Sequence, residues 1–190
     1  TDTYIKHKDG VEEGESDTTK KGTPHEEAVH IVAKGWVQMI GGVATHCGVD
    51  NQPGDHVLEV PMPTGVDMRI VIESKDESTA RGAVWIGKKL SNSMGYRKCE
   101  TGLWICKTED GLSPTEIGHW GLGTNELGNW LATTFENITT ALTYLRAMEI
   151  IRRAKAADIA TDLDLKLLMA KCGEIRDKVK AVSDIITAAG

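Results

Sequence analysis

Two apolar runs lie close together in this chain, residues 55–60 (DHVLEV) and residues 66–75 (VDMRIVIESK), joined by the turn-rich link Pro61-Met62-Pro63-Thr64-Gly65. Branched residues alternating with polar ones, bounded by proline and glycine, read as two strands of an antiparallel hairpin. A hairpin constrains more than its own backbone, because its register decides which side chains share a face. With the turn centred on Thr64, Asp55 falls opposite Glu73. Asp55, Val57 and Glu59 then project on the same side as Arg69, Val71, Glu73 and Lys75, while Asp76 points the other way. Directly opposed side chains have Cβ atoms about 5 Å apart. The hairpin therefore places two carboxylates and a lysine together at its open end.

A helix is expected to lead into this hairpin. Thr23 suits an N-cap, Pro24 the first helical position and Glu26 the third residue of a capping box. Val29, Val32, Ala33, Trp36, Val37 and Ile40 form an apolar stripe, and Gly41-Gly42 ends it. Glu26 is in phase with Val29, Ala33, Trp36 and Val37, so it faces the sheet. Glu27 aligns with Ile31, Lys34 and Gln38 and faces out. A carboxylate on a buried stripe needs a partner.

Further along, residues 78–93 read as a helix and 102–108 as a short buried strand. The glycine-rich residues 111–128 read as a loop, and 129–135 as a last strand. Residues 136–157 and 163–188 read as two long helices, the second with near-heptad spacing at Leu165, Leu168, Met169, Cys172, Ile175, Val179, Val182 and Ile186. The expected organisation is a polar arm over 1–21, an α/β domain over 22–135 and a C-terminal helical arm over 136–190 that serves oligomerisation. The fold class is α/β, a mixed central sheet flanked by helices, because a hairpin cannot belong to an all-parallel sheet.

Composition narrows the function. The net charge is −6 over 190 residues, which disfavours strong, non-specific nucleic-acid binding but suits a divalent cation held by carboxylates. Cys47, Cys99, Cys106 and Cys172 form no CxxC pair, and the plain reading is buried thiols in a reducing cytoplasm. No window has 18 consecutive apolar residues and the first twenty residues lack an apolar leader core, so the expectation is no membrane partner and a cytoplasmic location. His25, His30, His46 and His56 have no serine or cysteine partner at a suggestive spacing, so nucleophilic hydrolase readings are weak. The five tryptophans read as core residues, with Trp120 bordering the site.

Two carboxylates that close repel each other, and a divalent ion between them removes the penalty. Lys75, on the same face, is placed to orient a water and offset charge on a phosphate. The order Gly22 to Glu26 on a helix, then Gly54-Asp55, then an apolar strand ending Glu73-Ser74-Lys75 resembles the PD-(D/E)XK nuclease superfamily, restriction-endonuclease-like phosphodiesterases that need Mg²⁺. Its RmuC-like group has a similar Glu-Ser-Lys strand followed by a Trp-Ile and lysine segment, here Trp85-Ile86-Gly87-Lys88. The resemblance covers residues 20–135. It implies a restriction-endonuclease-like fold and Mg²⁺- or Mn²⁺-dependent hydrolysis of nucleic acid, most naturally DNA. Glu26, Asp55, Glu73 and the Ser74 backbone carbonyl would be metal ligands, with Lys75 completing the catalytic set. Lys88 and Lys89 are the candidate nucleic-acid contacts. Two positions depart from the pattern: Ser91-Asn92-Ser93 stand where the group tends to an Asp-Gln pair, and Gly54 rather than proline precedes Asp55. The alternatives are a catalytically inactive binding or assembly module on the same fold, and a purely structural helical assembly.

Overall fold

The computed structural model describes residues 24–156, 166–167, 169–175, 177–178 and 181. The polar arm, the Thr23 cap and much of the expected last helix lie outside them. The described chain is α/β. It contains α1 (Pro24–Met39), β1 (Val43–His46), β2 (His56–Val60), β3 (Met68–Lys75), α2 (Ala83–Arg97), β4 (Thr101–Cys106), β5 (Trp120–Asn125), β6 (Gly128–Thr134) and α3 (Ile138–Ala156).

The six strands form one mixed open sheet in the order β1-β2-β3-β4-β6-β5. β2 and β3 are the expected hairpin, with Val57 opposite Val71 and Glu59 opposite Arg69. β3, β4 and β6 run parallel at the centre, and antiparallel β1 and β5 close the two edges. Central strands are covered on both faces, which is why β4 (TGLWIC) is buried throughout. The period-two alternation divides β2 and β3 between two cores. Leu58, Val60, Ile70 and Ile72 pack with Val29, Ala33 and Val37 of α1 and Leu142 and Leu145 of α3. Val57 and Val71 pack with Ile86, Leu90 and Met94 of α2. Burying a side chain such as Leu90 contributes about 1.5–3 kcal/mol.

Three expectations change. β1 was not foreseen. The helix expected over 78–93 begins later, at Ala83, because residues before it are held elsewhere: the Arg81 N–H donates to the Gly111 carbonyl (3.0 Å) and Ser113 N–H to the Arg81 carbonyl (2.9 Å). The Glu116 carboxylate accepts the Ala83 N–H (2.8 Å), doing from a distance what a local serine cap would do. Residues 111–128 are not all loop, since β5 lies within them. Its glycines fit a strand pressed against side chains: a Cβ at Gly121 would lie 2.8 Å from Ile117 Cδ1. Asn125 Oδ1 accepts the Leu127 and Gly128 N–H groups (2.9 and 3.1 Å), closing the hairpin from β5 to β6. α3 matches the first expected C-terminal helix. In the second stretch Cys172 is buried against the α1 and α3 core, while Leu165, Leu168, Val179, Val182 and Ile186 lie outside the described residues. Among the described residues no helix is long and apolar enough to cross a membrane.

Candidate functional site

β3 ends at Lys75, beside the start of β2 and the end of β1. Polar and ionisable side chains gather at this end of the sheet, outside the carboxyl ends of the parallel strands, where open α/β sheets commonly bind ligands. Asp55 immediately precedes β2, and its N–H donates to the Ile72 carbonyl (2.9 Å). His56 pairs with Ile72, so one step further along the register sets Asp55 against Glu73.

Main-chain groups hold both carboxylates. Glu73 is buried and accepts the Gly54 N–H (2.7 Å), the Lys75 ammonium (2.9 Å) and the hydroxyl of Ser93 from α2. Asp55 Oδ2 accepts the Ser74 N–H (2.7 Å) and the Ser74 hydroxyl (3.0 Å), with the Lys75 Nζ at 3.7 Å. Gly54 itself has φ +93°, and a Cβ there would press on Val71, so glycine is required at this turn. Arg97, at the end of α2, fastens the turn from outside. It donates to the Pro53 carbonyl (2.8 Å) and the Gly54 carbonyl (3.0 Å) while paired with Asp50 (2.7 Å).

The charges do not balance. Burial raises the Asp55 carboxyl above its ordinary value; Lys75 opposes the shift and Glu73 adds to it. Burial works against the Lys75 ammonium, but Glu73 and then Asp55 outweigh it and hold its pKa above that of an ordinary lysine. The Lys75 Nζ also sits 5.5 Å from the centre of the buried Trp104 ring, which favours the cation. Trp120, expected at the border, instead packs edge-on against Tyr144 at the far edge strand.

Glu26 does face the sheet, but its partner there is histidine. Its Oε1 lies 2.7 Å from His46 Nε2, at the end of β1. His46 is paired with His56 across β1 and β2. The rings of His46 and His56 are 4.8 Å apart, and the His30 ring of α1 lies 5.3 Å from each, stacked on His46 and tilted to His56. Glu26, His46 and His56 bring one donor atom each within 4.8 Å of one another. This cluster lies on the α1 side of the sheet and the acid pair on the α2 side; they are close enough for the Glu26 charge to add to the raising of Asp55. No fixed spacing announces the histidines. His46 joins the other two only through β1, whose four residues carry no strand signal of their own. Ser93 did leave a trace, as a polar residue on the apolar stripe of Ile86, Leu90 and Met94.

The two lysines of α2 diverge. Lys89 is exposed, one turn before Ser93, whose hydroxyl also reaches the Lys89 carbonyl (3.2 Å), and its ammonium lies 5.3 Å from the Trp85 ring. Lys88 lines a separate cleft of about 640 Å³ between α2 and the hairpin of β5 and β6. The cysteines are free thiols, and the metal-capable cluster among the described residues contains none of them.

Fold and site together define an α/β protein with a mixed open sheet and a charged cluster at the carboxyl ends of its parallel strands. No protein-family model, no curated protein and no solved structure matches the chain.

Proposed function

We propose that the chain is a restriction-endonuclease-like, Mg²⁺- or Mn²⁺-dependent nuclease acting on DNA. The supporting observation is the convergence of Asp55, Glu73 and Lys75 at one strand end, with Lys75 Nζ 2.9 Å from Glu73 and 3.7 Å from Asp55. The donor set fits a hard divalent cation, since carboxylate oxygens with a backbone carbonyl and waters are what Mg²⁺ takes. Asp55 and Glu73 would hold it, joined by the Ser74 carbonyl. Bound there, such an ion supplies Lewis-acid polarisation of a phosphoryl oxygen and acidifies water.

The chain's own residues do the rest. Lys75 is fully protonated near neutral pH, so it acts as a fixed positive charge rather than a base. It orients a water and offsets negative charge growing on the phosphate. The Gly54 and Ser74 N–H groups keep the carboxylates fixed as substrate enters. Glu26 supports the site through its field rather than by direct contact, since His46 takes its Oε1. Lys89 lies on the rim as a phosphate contact, and Lys88 extends that surface along α2.

The test incubates labelled duplex and single-stranded DNA with the protein, adding Mg²⁺, Mn²⁺ or chelator, beside Lys75→Ala and Asp55→Asn. Cleavage is expected only with metal, and each variant should lose on the order of 10²–10³-fold in rate. Equal cleavage by Lys75→Ala would remove the site assignment. A second reading, an inactive binding or assembly module, is favoured by one observation: Glu73 already accepts three donors, which makes a closed network. Absence of both cleavage and Mg²⁺ binding by calorimetry would select it. Whether the helical arm joins copies of the chain is read separately, from the mass in solution.

A further inference from the structure

His56 is fully buried, and neither of its ring nitrogens makes a hydrogen bond. A buried imidazole without partners forfeits the solvation of both nitrogens, which calls for a physical cause. The Glu26 backbone carbonyl lies near the ring, but short of hydrogen-bond geometry. The atoms gathered around His56 are those of a metal site. Glu26 and His46 each offer a donor atom within 4.8 Å of its own, and all three residues come from different elements, α1, β1 and β2.

We infer that Glu26, His46 and His56 form a divalent-cation site for a first-row transition ion of the Zn²⁺ type, chemically distinct from the Asp55 and Glu73 pair. Two imidazoles and one carboxylate are a donor set that Zn²⁺ prefers and Mg²⁺ does not. The geometry needs only local closure. Tetrahedral Zn²⁺ with ligands at about 2.0–2.1 Å separates its donor atoms by roughly 3.3 Å. The contact between Glu26 and His46, now 2.7 Å, would open slightly, and His56 would move in. Three protein donors leave a fourth position open, as in catalytic rather than structural zinc sites. Gly48 allows the approach, because a Cβ there would collide with the Glu26 carboxylate. The site does not depend on the nuclease reading. It would pin α1 to β1 and β2 beside the acid pair whether or not that pair cleaves DNA.

The test strips the full chain with chelator and titrates it with Zn²⁺ by calorimetry and with Co²⁺ by visible absorption. One equivalent of Zn²⁺ is expected, with Co²⁺ giving a low-symmetry visible band and excess Mg²⁺ failing to displace either ion. His46→Gln and His56→Gln should each weaken Zn²⁺ binding at least tenfold, while Asp55→Asn leaves it within about threefold of wild type. Because His56→Gln alters a buried position and can unfold the chain, the half-exposed His46→Gln decides the case, with circular dichroism as the fold control. The inference is overturned if Zn²⁺ does not bind, or if His46→Gln binds it as tightly as wild type. It is equally overturned if binding follows Asp55→Asn instead, because the ion would then sit in the acid pair. Loss of Mg²⁺-dependent cleavage in Asp55→Asn with Zn²⁺ binding intact separates this site from the nuclease proposal.

Discussion

Two buried glutamates lie at opposite ends of the same sheet, and their surroundings differ in one respect. Glu149 of α3 sits beyond the amino ends of β4 and β6 and is met by Arg152 (2.6 Å) and Arg153 (2.6 Å), while Arg153 also reaches Glu100 (3.4 Å). Two negative charges meet two positive ones. Burial acts to raise the Glu149 carboxyl, but the arginines outweigh it and hold it below the usual carboxylate range. Glu73, at the other end, shares a single lysine with Asp55, and Glu26 lies nearby. Asp55 and Glu73 against one ammonium leave a deficit of positive charge. The neutral cluster acts as a clamp, holding α3 to the turn between β2 and β3, where Arg153 also meets Thr64 (3.1 Å). The other cluster keeps its excess of negative charge at the carboxyl ends of the parallel strands.

Four measurements bear on that contrast. Glu149→Ala removes the carboxylate that both arginines meet, one of them largely buried, and should cost about 3 kcal/mol in chemical denaturation, with no response to added Mg²⁺. A loss under 1 kcal/mol would remove the clamp. The second concerns acid. Burial, then His46 and His30, lower His56 from 6.5 to about 3. Between those values the unfolded chain binds the proton and the folded chain does not, so stability falls as pH drops. Metal-free protein should lose about 2 kcal/mol between pH 7 and pH 5 from this group. His56→Gln should flatten that slope if it folds. Third, Asp55→Asn removes a buried charge whose ionisation the folded state disfavours. It should stabilise the metal-free protein by about 1 kcal/mol while lowering the cleavage rate on the order of 10²–10³-fold. A destabilised Asp55→Asn would mean that the acid end is already balanced. Last, Lys89→Ala should weaken DNA binding about threefold and flatten its salt dependence by roughly one phosphate contact.

How much of this was legible depends on the range of the interaction. The register of β2 and β3 follows from alternation and a short turn, both local, so Asp55, Glu73 and Lys75 could be placed on one face from the letters alone. Glu26 could be turned toward the sheet by helical phase, but not given its partner. His46 stands on a four-residue strand without alternation, and its meeting with His56 depends on a pairing that the sequence does not advertise. β5 was missed for the opposite reason. Its glycines, a loop signal in isolation, make room for Ile117 and for the Trp130 ring, so tertiary packing overrides propensity. Ser93 lies on α2, far along the chain from Glu73, and only the packing of α2 onto β3 joins them.

The carboxylates, the lysine and the imidazoles of the unbalanced end all come from residues 26–75, an unbroken stretch folded as one helix and two consecutive hairpins. The parallel strands β4 and β6 arrive later in the chain and add the slower, non-local pairings. Loops this short close early and at low entropic cost. The cluster of carboxylates and imidazoles can therefore assemble before the sheet is complete, and an ion supplied during refolding would act on the nucleus of the fold rather than on its finished surface.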